Sequence, residues 1–405
     1  MICGLLGERL GHSYSPQIHA LLGSYEYRLF ERNESELDNF FADTSWHGVN
    51  VTIPYKRAAM KYCDFVSERA RRIGCVNTVV RGNDGSLCGY NTDYDGFLGL
   101  VRRSGFEPAG KKAIILGSGG ASLTAQCVLS ELGAEVVVIS RRGADNYENI
   151  YAHDDAALLV NASPAGMYPH NGDCLVDISQ LTGLKCVLDV IYNPMRTKLL
   201  MDAERLGLTA LGGLHMLVAQ AAAAARLFTG AEPECSEEYV YSRIESNMKN
   251  ILLVGMPGSG KTTVGSALAR QLGREFYDMD DEIVRAEGIS IQEIFSCCGE
   301  EHFRAVEHGI LEHFTKLSGA VIATGGGAIT RPENIALLRQ NSCVVWLTRD
   351  IGKLSIDGRP LSEQGNLMEM YERRKPMYEA AADFSADNNG TVDETVCAII
   401  KEMQI

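Results

Sequence analysis

The chain has 405 residues, 45% of them hydrophobic and 22% charged, and a formal net charge of −14. This length predicts two or three domains. The acidic balance argues against nucleic acid and anionic membranes as partners, because both attract positive surfaces.

Twelve cysteines are scattered without a CxxC pair or zinc-like spacing, which is typical of reduced thiols. The chain start is too weakly apolar for a signal peptide, and we expect a cytoplasmic protein with small-molecule partners and no membrane span. Its oligomeric state is left open.

Two glycine-rich turns follow apolar runs, at residues 113–121 (AIILGSGGA) and 251–262 (ILLVGMPGSGKT). Each lies between a predicted strand and a predicted helix. Strand and helix patterns alternate after both turns, which is typical of parallel α/β sheets covered by helices. The sequence therefore predicts two nucleotide-binding units of the α/β class.

The first turn indicates a dinucleotide site. Its residues are Gly117, Ser118, Gly119, Gly120 and Ala121. Glycines let the backbone approach a pyrophosphate, and the helix N-terminus supplies N–H groups. An ordinary tight turn is the alternative, since small residues replace the third glycine of the usual pattern.

Arg141 and Arg142 follow the next strand, where an NAD enzyme usually has an acidic residue. Two guanidiniums would bind a 2′-phosphate, so this position favours NADP over NAD. The alternative there is a solvated basic loop.

The second turn matches the full G-x-x-x-x-G-K-[ST] pattern and predicts an ATP site with Mg²⁺. The phosphate-binding residues of this site are predicted to be Gly258, Ser259, Gly260, Lys261, Thr262 and Thr263. Lys261 would reach the β- and γ-phosphates, and Thr262 would bind the magnesium ion. Asp278 and Asp280 follow at a strand end, where one carboxylate would serve Mg²⁺ and the other an alcohol.

Seven polar segments of the first half are more specific as a series. They are residues 11–19 (GHSYSPQIH), 48–56 (GVNVTIPYK), 73–78 (IGCVNT), 89–93 (GYNTD), 161–167 (NASPAGM), 189–194 (DVIYNP) and 213–220 (GLHMLVAQ). Singly, each Ser, Thr or Asn is typical of a turn or a helix cap. Together and in this order, they resemble shikimate dehydrogenase from Ile2 to about Glu245.

The resemblance implies a substrate site and a catalytic pair. The residues that would contact the substrate are Ser13, Ser15, Thr52, Asn77, Tyr192 and Gln220. Lys56 and Asp93 would be the catalytic pair. Hydride transfer from NADPH to the ketone of 3-dehydroshikimate generates alkoxide character, which a positioned ammonium stabilises and protonates. Asp93 would orient Lys56. The alternative for this pair is a surface ion pair of small energetic value.

Five segments of the second half resemble shikimate kinase over about residues 250–405. They are residues 276–280 (FYDMD), 299–307 (GEEHFRAVE), 325–327 (GGG), 359–361 (RPL) and 374–378 (RKPMY). By this resemblance, the residues that would hold shikimate are Asp280, Arg304, Arg374 and the amides of Gly326 and Gly327. Asp278 would act in the magnesium shell.

The resemblance also assigns Arg359 to a lid, where it would contact ATP and act with Asp280 and Lys261 in catalysis. Arg304 and Glu307 lie three apart on a predicted helix and can pair. Few residues separate the preceding strand from Arg359, so we expect an abbreviated lid.

The predicted fold class is α/β, with a substrate domain, a Rossmann domain and a P-loop kinase domain resembling nucleoside monophosphate kinases. The expected boundaries are residues 1–95 with 213–245, 96–212, a short linker at 246–249, and 250–405. The expected function is bifunctional, with NADPH-dependent reduction of 3-dehydroshikimate followed by ATP-dependent phosphorylation of shikimate. Two alternatives stay open: one half is catalytically silent and senses a ligand, or the dehydrogenase half acts on quinate.

Overall fold

The computed structural model describes residues 1–11, 13–354 and 367–403 of the chain. The predicted lid residue Arg359 lies outside the described residues. Two compact units are present, Met1–Glu245 and Ser246–Ile405.

The first unit opens with a six-stranded mixed sheet. Its elements in chain order are β1 (Ile2–Gly7), α1 (Ser15–Leu22), β2 (Glu26–Glu31), α2 (Leu37–Ala42), β3 (Gly48–Val51), β4 (Phe65–Val66), α3 (Glu68–Ile73), β5 (Thr78–Arg81), β6 (Leu87–Tyr90) and α4 (Asp93–Arg103). The strand order is β2-β1-β3-β5-β6-β4. Helix α1 has Pro16 in its first turn, as the sequence predicts. Strands β3 and β5 are antiparallel with Asn50 opposite Thr78. The C-terminal end of β3 and the N-terminal end of β5 therefore lie side by side.

A five-stranded parallel sheet follows in the same unit. Its elements are β7 (Lys112–Leu116), α5 (Gly120–Glu131), β8 (Glu135–Ile139), β9 (Leu158–Asn161), β10 (Cys186–Asp189), α6 (Lys198–Arg205) and β11 (Thr209–Leu211). Ala113 and Ile115 are buried in one hydrophobic cluster, and Ile114 and Leu116 in another. This alternation places apolar cores on both faces, as expected for a parallel sheet. The order β11-β10-β9-β7-β8 changes direction between β7 and β9, where α/β sheets usually bind ligands at the carboxyl ends of their strands.

Two helices complete the unit, α7 (Leu214–Thr229) and α8 (Glu237–Met248). Ser236 caps α8, because its side chain accepts a hydrogen bond from Tyr239 N–H. The linker predicted at residues 246–249 implies a helix end near Glu245. The helix continues to Met248 instead, through three of the four residues proposed as a linker.

The second unit is built on another five-stranded parallel sheet. Its elements are β12 (Asn250–Val254), α9 (Lys261–Leu272), β13 (Phe276–Asp278), α10 (Met279–Glu287), α11 (Ile291–Cys297), α12 (Gly299–Thr315), β14 (Val321–Ala323), α13 (Pro332–Gln340), β15 (Ser342–Thr348), α14 (Leu367–Ala381), β16 (Phe384–Asp387) and α15 (Val392–Glu402). The order is β13-β14-β12-β15-β16. Strand β12 alternates between two cores, with Ile251 and Leu253 facing one and Leu252 and Val254 the other. The predicted parallel α/β architecture of both nucleotide-binding parts is confirmed.

Candidate active sites

Lys56 and Asp93 are in direct contact at the edge of the mixed sheet. Lys56 Nζ lies 2.5 Å from Asp93 Oδ2, and Asp93 is only 8% exposed at the start of α4. Asn77 Nδ2 donates to the other carboxylate oxygen at 2.9 Å. Both oxygens of Asp93 therefore have a partner, and the ammonium of Lys56 is held in a defined position while it keeps some solvent exposure.

The predicted substrate residues lie on several elements of the first unit. Ser15 N donates to Ser13 Oγ at 3.2 Å, at the start of α1. Tyr192 packs edge-on against Tyr14, with ring centroids 6.3 Å apart, so it lies beside the two serines. Burial raises the pKa of Tyr192. The structure therefore places this tyrosine near the serine segment, as lining of one site requires.

Thr52 and Gln220 occupy positions beside the ends of the sheet. Thr52 follows β3, and its backbone N donates to Leu6 O at 2.9 Å. Gln220 is on α7 and packs closely against Gly96 of α4, where an added Cβ would lie 3.0 Å from the Gln220 Cβ. Gly96 is three residues from Asp93 on the same helix, so Gln220 lies near the helix that carries the Asp93 carboxylate.

A buried hydrogen-bond chain that the sequence does not predict supports the catalytic pair. Tyr27 donates from its hydroxyl to Asn50 Oδ1 at 2.8 Å, and Asn50 Nδ2 donates to Thr78 Oγ1 at 3.1 Å. Thr78 in turn donates to Asn77 Oδ1 at 3.1 Å. The chain therefore links Tyr27 of β2 to Asn77, which donates to Asp93. Asn50 and Thr78 lie in the polar segments 48–56 and 73–78, and their place in these segments was the sequence signal that could have identified them.

The dinucleotide turn has the geometry that a pyrophosphate requires. Gly117 has φ +106°, and a Cβ there would lie 2.9 Å from Ala162 O, so only glycine fits. Added Cβ atoms at Gly119 and Gly120 would meet no atom of the described chain within 4 Å. Helix α5 begins at Gly120, so its first N–H groups face open space and suit an anion. These residues fit a dinucleotide cofactor.

Arg141 and Arg142 are exposed on the turn after β8. This turn is closed by a hydrogen bond from Gly143 N to Ser140 O at 3.3 Å. Within the described part of the chain, no carboxylate forms an ion pair with either guanidinium. Both charges therefore remain available to a ligand at the carboxyl end of β8.

The phosphate-binding turn of the second unit holds its lysine inside the loop. Gly258 and Gly260 have φ +80° and +94°, which favour glycine. Lys261 Nζ donates to Gly255 O at 3.0 Å and to Met256 O at 3.1 Å. The loop is thus closed around an ammonium, as binding of a triphosphate requires. Asn388 Nδ2 also donates to Ser259 O at 2.7 Å, a support that the sequence does not indicate.

Thr262 and Asp278 lie together beside this turn. Thr262 Oγ1 donates to Asp278 Oδ2 at 2.6 Å, and Asp278 Oδ1 accepts from Asp280 N at 3.0 Å. Oxygen ligands of this kind suit Mg²⁺, so the pair fits the predicted magnesium position. Asp280 itself points toward Gly325, where an added Cβ would lie 3.1 Å from its Oδ1.

Two arginines and a glutamate form a buried cluster at the end of β14. Arg304 Nη1 donates to Glu307 Oε2 at 2.7 Å, which confirms the predicted pairing. Glu307 is 1% and Arg374 3% exposed. Burial raises the pKa of Glu307 and lowers that of Arg374. Arg304 also pairs with the more exposed Glu300 at 3.3 Å. Among the buried groups two guanidiniums face one carboxylate, and Arg374 Nε has no hydrogen-bond partner among the described residues. The cluster suits an anionic ligand.

The glycine segment 325–327 closes this cluster. Arg374 Nη1 donates to Gly326 O at 3.1 Å, and Tyr378 donates to the same oxygen at 2.7 Å. A Cβ at Gly327 would lie 2.4 Å from the Arg304 guanidinium, so the backbone approaches the charge closely. The glycine segment thus lies in contact with Asp280, Arg304 and Arg374, and Gly326 also lies close to Pro257 of the phosphate turn.

These sites define two classes of enzyme. A lysine–aspartate pair in the same unit as a dinucleotide turn followed by two arginines defines an NADP-type oxidoreductase. A phosphate turn beside a buried arginine cluster defines a P-loop kinase for a small anionic acceptor.

Comparison with known proteins gives the families. A family model for the shikimate dehydrogenase substrate binding domain matches residues 5–79, and one for shikimate kinase matches residues 257–404. A shikimate dehydrogenase (NADP(+)) of Methanopyrus kandleri is 38% identical over an alignment of 264 residues, and this alignment covers 57% of this chain and 91% of that protein. The chain therefore belongs to the shikimate dehydrogenase family, and it carries a shikimate kinase domain in its second unit.

Solved structures similar to the first unit have the same fold. Shikimate 5-dehydrogenase of Thermus thermophilus, in complex with NADP(H) and shikimate, is 32% identical with a TM-score of 0.55. It covers 60% of this chain and 99% of its own. Quinate dehydrogenase of Corynebacterium glutamicum, in complex with NAD, is 28% identical with a TM-score of 0.56. It covers 61% of this chain and 99% of its own. The fold is thus shared by enzymes of either substrate, and the side chains of the site must decide between them.

The described residues contain no helix that is both long and apolar enough to cross a membrane.

Proposed function

We propose that the first unit reduces 3-dehydroshikimate to shikimate with NADPH, and that the second unit phosphorylates shikimate with ATP to give shikimate 3-phosphate. These are successive steps of chorismate and aromatic amino acid biosynthesis. The 2.5 Å contact between Lys56 and Asp93 supports the first activity. The second rests on the buried cluster of Arg304, Glu307 and Arg374 beside the phosphate turn.

In the first reaction, NADPH supplies the hydride to the ketone carbon. Lys56 stabilises the negative charge that develops on the carbonyl oxygen and delivers a proton to it. Asp93 keeps the ammonium charged and oriented, and Asn77 fixes the carboxylate. Ser13, Ser15, Thr52 and Gln220 hydrogen-bond the hydroxyls and carboxylate of the substrate, and Tyr192 lines the site.

In the second reaction, ATP supplies the phosphoryl group. Arg304 and Arg374 hold the shikimate carboxylate in the buried cluster, because charge-assisted hydrogen bonds replace lost hydration there. The amides of Gly326 and Gly327 approach the same ligand. Asp280 orients the attacking hydroxyl and accepts its proton. Lys261 stabilises charge on the phosphates, and Arg359 is assigned the same role from the lid.

The cofactors are NADP for the first unit and ATP with Mg²⁺ for the second. The residues that hold NADP are assigned to the turn from Gly117 to Ala121 and to Arg141 and Arg142. The ATP phosphates are held by the turn from Gly258 to Thr263, and Mg²⁺ by Thr262 and Asp278. The exposed arginines favour NADP, and an NADP-linked reduction favours shikimate over quinate. A catalytically silent half is not favoured, because the polar contacts of both sites are in place.

We assign residues 1–95 with 213–245 to substrate binding, 96–212 to NADP and 250–405 to the kinase. The proposed partners are small molecules only, and the proposed location is the cytoplasm. The net charge of −14 supports the absence of nucleic-acid and membrane partners, and twelve free thiols suit a reducing compartment.

Crossed inactivation tests the proposal. Lys56→Ala lowers the turnover of NADP-linked shikimate oxidation by about 10²- to 10⁴-fold, because the proton donor is lost, and it leaves the kinase rate unchanged. Lys261→Ala abolishes ATP-dependent phosphorylation and leaves the dehydrogenase rate unchanged. Lys61→Ala, an exposed lysine near the first site, is the matched control. Near-normal dehydrogenase turnover in Lys56→Ala would refute the assignment, and so would one substitution that removes both activities from a folded chain.

A further inference from the structure

Two adjacent cysteines occupy the junction between α11 and α12. Cys297 ends α11, and Cys298 lies between the two helices. Both are exposed free thiols, with their Sγ atoms 2.9 Å apart. No other cysteines of the chain are neighbours in the sequence. Nothing in the proposed phosphoryl transfer uses either thiol.

The geometry of this pair favours a labile disulfide over a permanent one. Adjacent Cα atoms are about 3.8 Å apart, whereas disulfide-bonded residues are usually separated by about 4.4 to 6.8 Å. A bond between Cys297 and Cys298 is therefore strained, and strained exposed disulfides have the higher reduction potentials that accompany reversible oxidation. In reducing surroundings the pair stays a dithiol, and it oxidises when disulfide oxidants accumulate.

We propose that Cys297 and Cys298 form a thiol–disulfide exchange site that a low-molecular-weight disulfide oxidises, and that this oxidation weakens acceptor binding in the kinase unit. One thiolate attacks the small disulfide, whose S–S bond breaks and releases one thiol. The neighbouring thiolate then attacks the mixed disulfide and releases the second thiol. The balance is two cysteine thiols and one disulfide giving one Cys297–Cys298 disulfide and two small thiols, with each cysteine proton passing to a released thiol.

The site is coupled to Arg304 through the first turns of α12. Glu300 lies two residues after Cys298 and pairs with Arg304 at 3.3 Å. Phe295 on α11 packs against Phe303, the neighbour of Arg304, with ring centroids 4.7 Å apart. Closing a ring across the Cys297–Cys298 peptide changes the backbone at this junction. The change therefore reaches both the Glu300 contact and the packing that holds the arginine.

The chemical environment sets the speed of the exchange. The hydrogen bond with Cys297 raises the pKa of Cys298, and the nearby Glu287 carboxylate adds to the effect. The thiolate is the attacking species, so incubation at mildly alkaline pH is the suitable condition for the experiment.

The test uses the full-length protein and oxidised glutathione. After alkylation of free thiols, trypsin releases residues 286–304, a peptide whose only cysteines are these two. After oxidation, we expect the mass of this peptide to be lower than that of the dithiol form by two hydrogens, and we expect it to carry no alkyl or glutathionyl group. The KM for shikimate in the kinase assay rises about tenfold, as expected for loss of one charged hydrogen bond, while the KM for ATP and the dehydrogenase rate stay constant. Dithiothreitol restores both readouts.

Cys297→Ser and Cys298→Ser each remove the response, whereas Cys397→Ser, at another exposed cysteine of the same unit, retains it. If the peptide is alkylated or carries two glutathionyl groups after exhaustive treatment with oxidised glutathione, the proposal of an exchange site is refuted. An internal disulfide with an unchanged KM for shikimate overturns the coupling to Arg304. The inference about coupling rests on the proposed kinase function. If the reduced protein has no kinase activity, the proposed kinase function is contradicted. The mass of the peptide still shows in that case whether Cys297 and Cys298 form a disulfide.

Discussion

Asn77 donates a hydrogen bond of 2.9 Å to Asp93, the carboxylate that also binds Lys56. The amide oxygen of Asn77 accepts from the backbone N of Thr92 at 2.7 Å. Because a backbone N–H only donates, the amide orientation is fixed and its NH₂ group must face Asp93. A residue predicted to bind substrate thus also positions the carboxylate that binds Lys56.

Thr78 is expected to position this pair without touching substrate. Its hydroxyl lies between Asn50 Nδ2 and Asn77 Oδ1, 3.1 Å from each. In Thr78→Val both contacts are lost, and dehydrogenase kcat falls about tenfold, a cost typical of one or two buried hydrogen bonds. Steady-state kinetics across pH measure the effect.

Thr78→Ser is the matched control, because it keeps the hydroxyl and loses a methyl group. Its kcat and pH profile return toward those of the native protein. If Thr78→Val and Thr78→Ser were equally impaired, the methyl packing and not the hydrogen bond would be responsible.

Arg141 is expected to select NADP over NAD. In Arg141→Ala the KM for NADPH rises about 10- to 100-fold, in line with the value of hydrogen bonds to charged groups. The rate with NADH changes little, because NADH has no 2′-phosphate. Initial rates with each cofactor give the ratio, and Arg102→Ala, an exposed arginine at the end of α4, is the control. An equal loss with both cofactors contradicts the assignment.

The sequence predicts the parts of the sites that depend on contiguous residues. In the phosphate turn, the strand, the glycines and Lys261 are close together in the sequence. The structure has the predicted succession of strand, turn and helix. The contact between Lys56 and Asp93 spans 37 residues. It was inferred only through a family resemblance, because it depends on the pairing of both β3 and β6 with β5. The roles in catalysis and binding assigned to these residues stay predictions.

Other contacts depend on tertiary packing that no local pattern encodes. Asn50 and Thr78 read as ordinary strand residues, and the bond of Arg374 to Gly326 spans 48 residues. The end of α8 was misplaced by three residues, because helix ends depend on capping and neighbours as much as on composition.

Arg374 is expected to carry much of the affinity for shikimate. Arg374→Lys keeps the positive charge but loses the planar fork that binds a carboxylate at two points. We expect the KM for shikimate to rise about 10- to 100-fold, with the KM for ATP unchanged. Coupled kinase assays measure both constants. Arg373→Lys changes an exposed neighbour on the same helix and is expected to leave them unaltered, and a parallel rise in the KM for ATP would point to a general distortion.

Asp189 is expected to make the first unit less stable as the pH rises. Burial is the largest influence on this fully buried carboxyl and raises its pKa from 3.8 to about 6, although Ile191 N–H and the side chains of Thr197 and Asn161 donate to it. Between these values the folded protein holds the proton and the unfolded chain releases it. The free energy of unfolding therefore falls as the pH increases through this window, by about 3 kcal/mol in total.

Asp189→Asn removes this dependence. Calorimetry at about pH 4.5 and about pH 7, below and above the raised pKa of Asp189, is expected to show that the melting temperature of this variant, relative to that of the native protein, increases with pH. Asp177→Asn is the contrast. The hydrogen bond from Ser179 is the main cause that lowers the pKa of the exposed Asp177 below 3.8, so its stabilising contribution is present throughout this pH range and is lost only at more acidic pH. The melting temperature of that variant relative to the native protein is therefore expected to stay nearly constant between the two pH values. If Asp189→Asn also follows the native pH dependence, the carboxyl of Asp189 titrates near its ordinary value, and its three donors outweigh its burial.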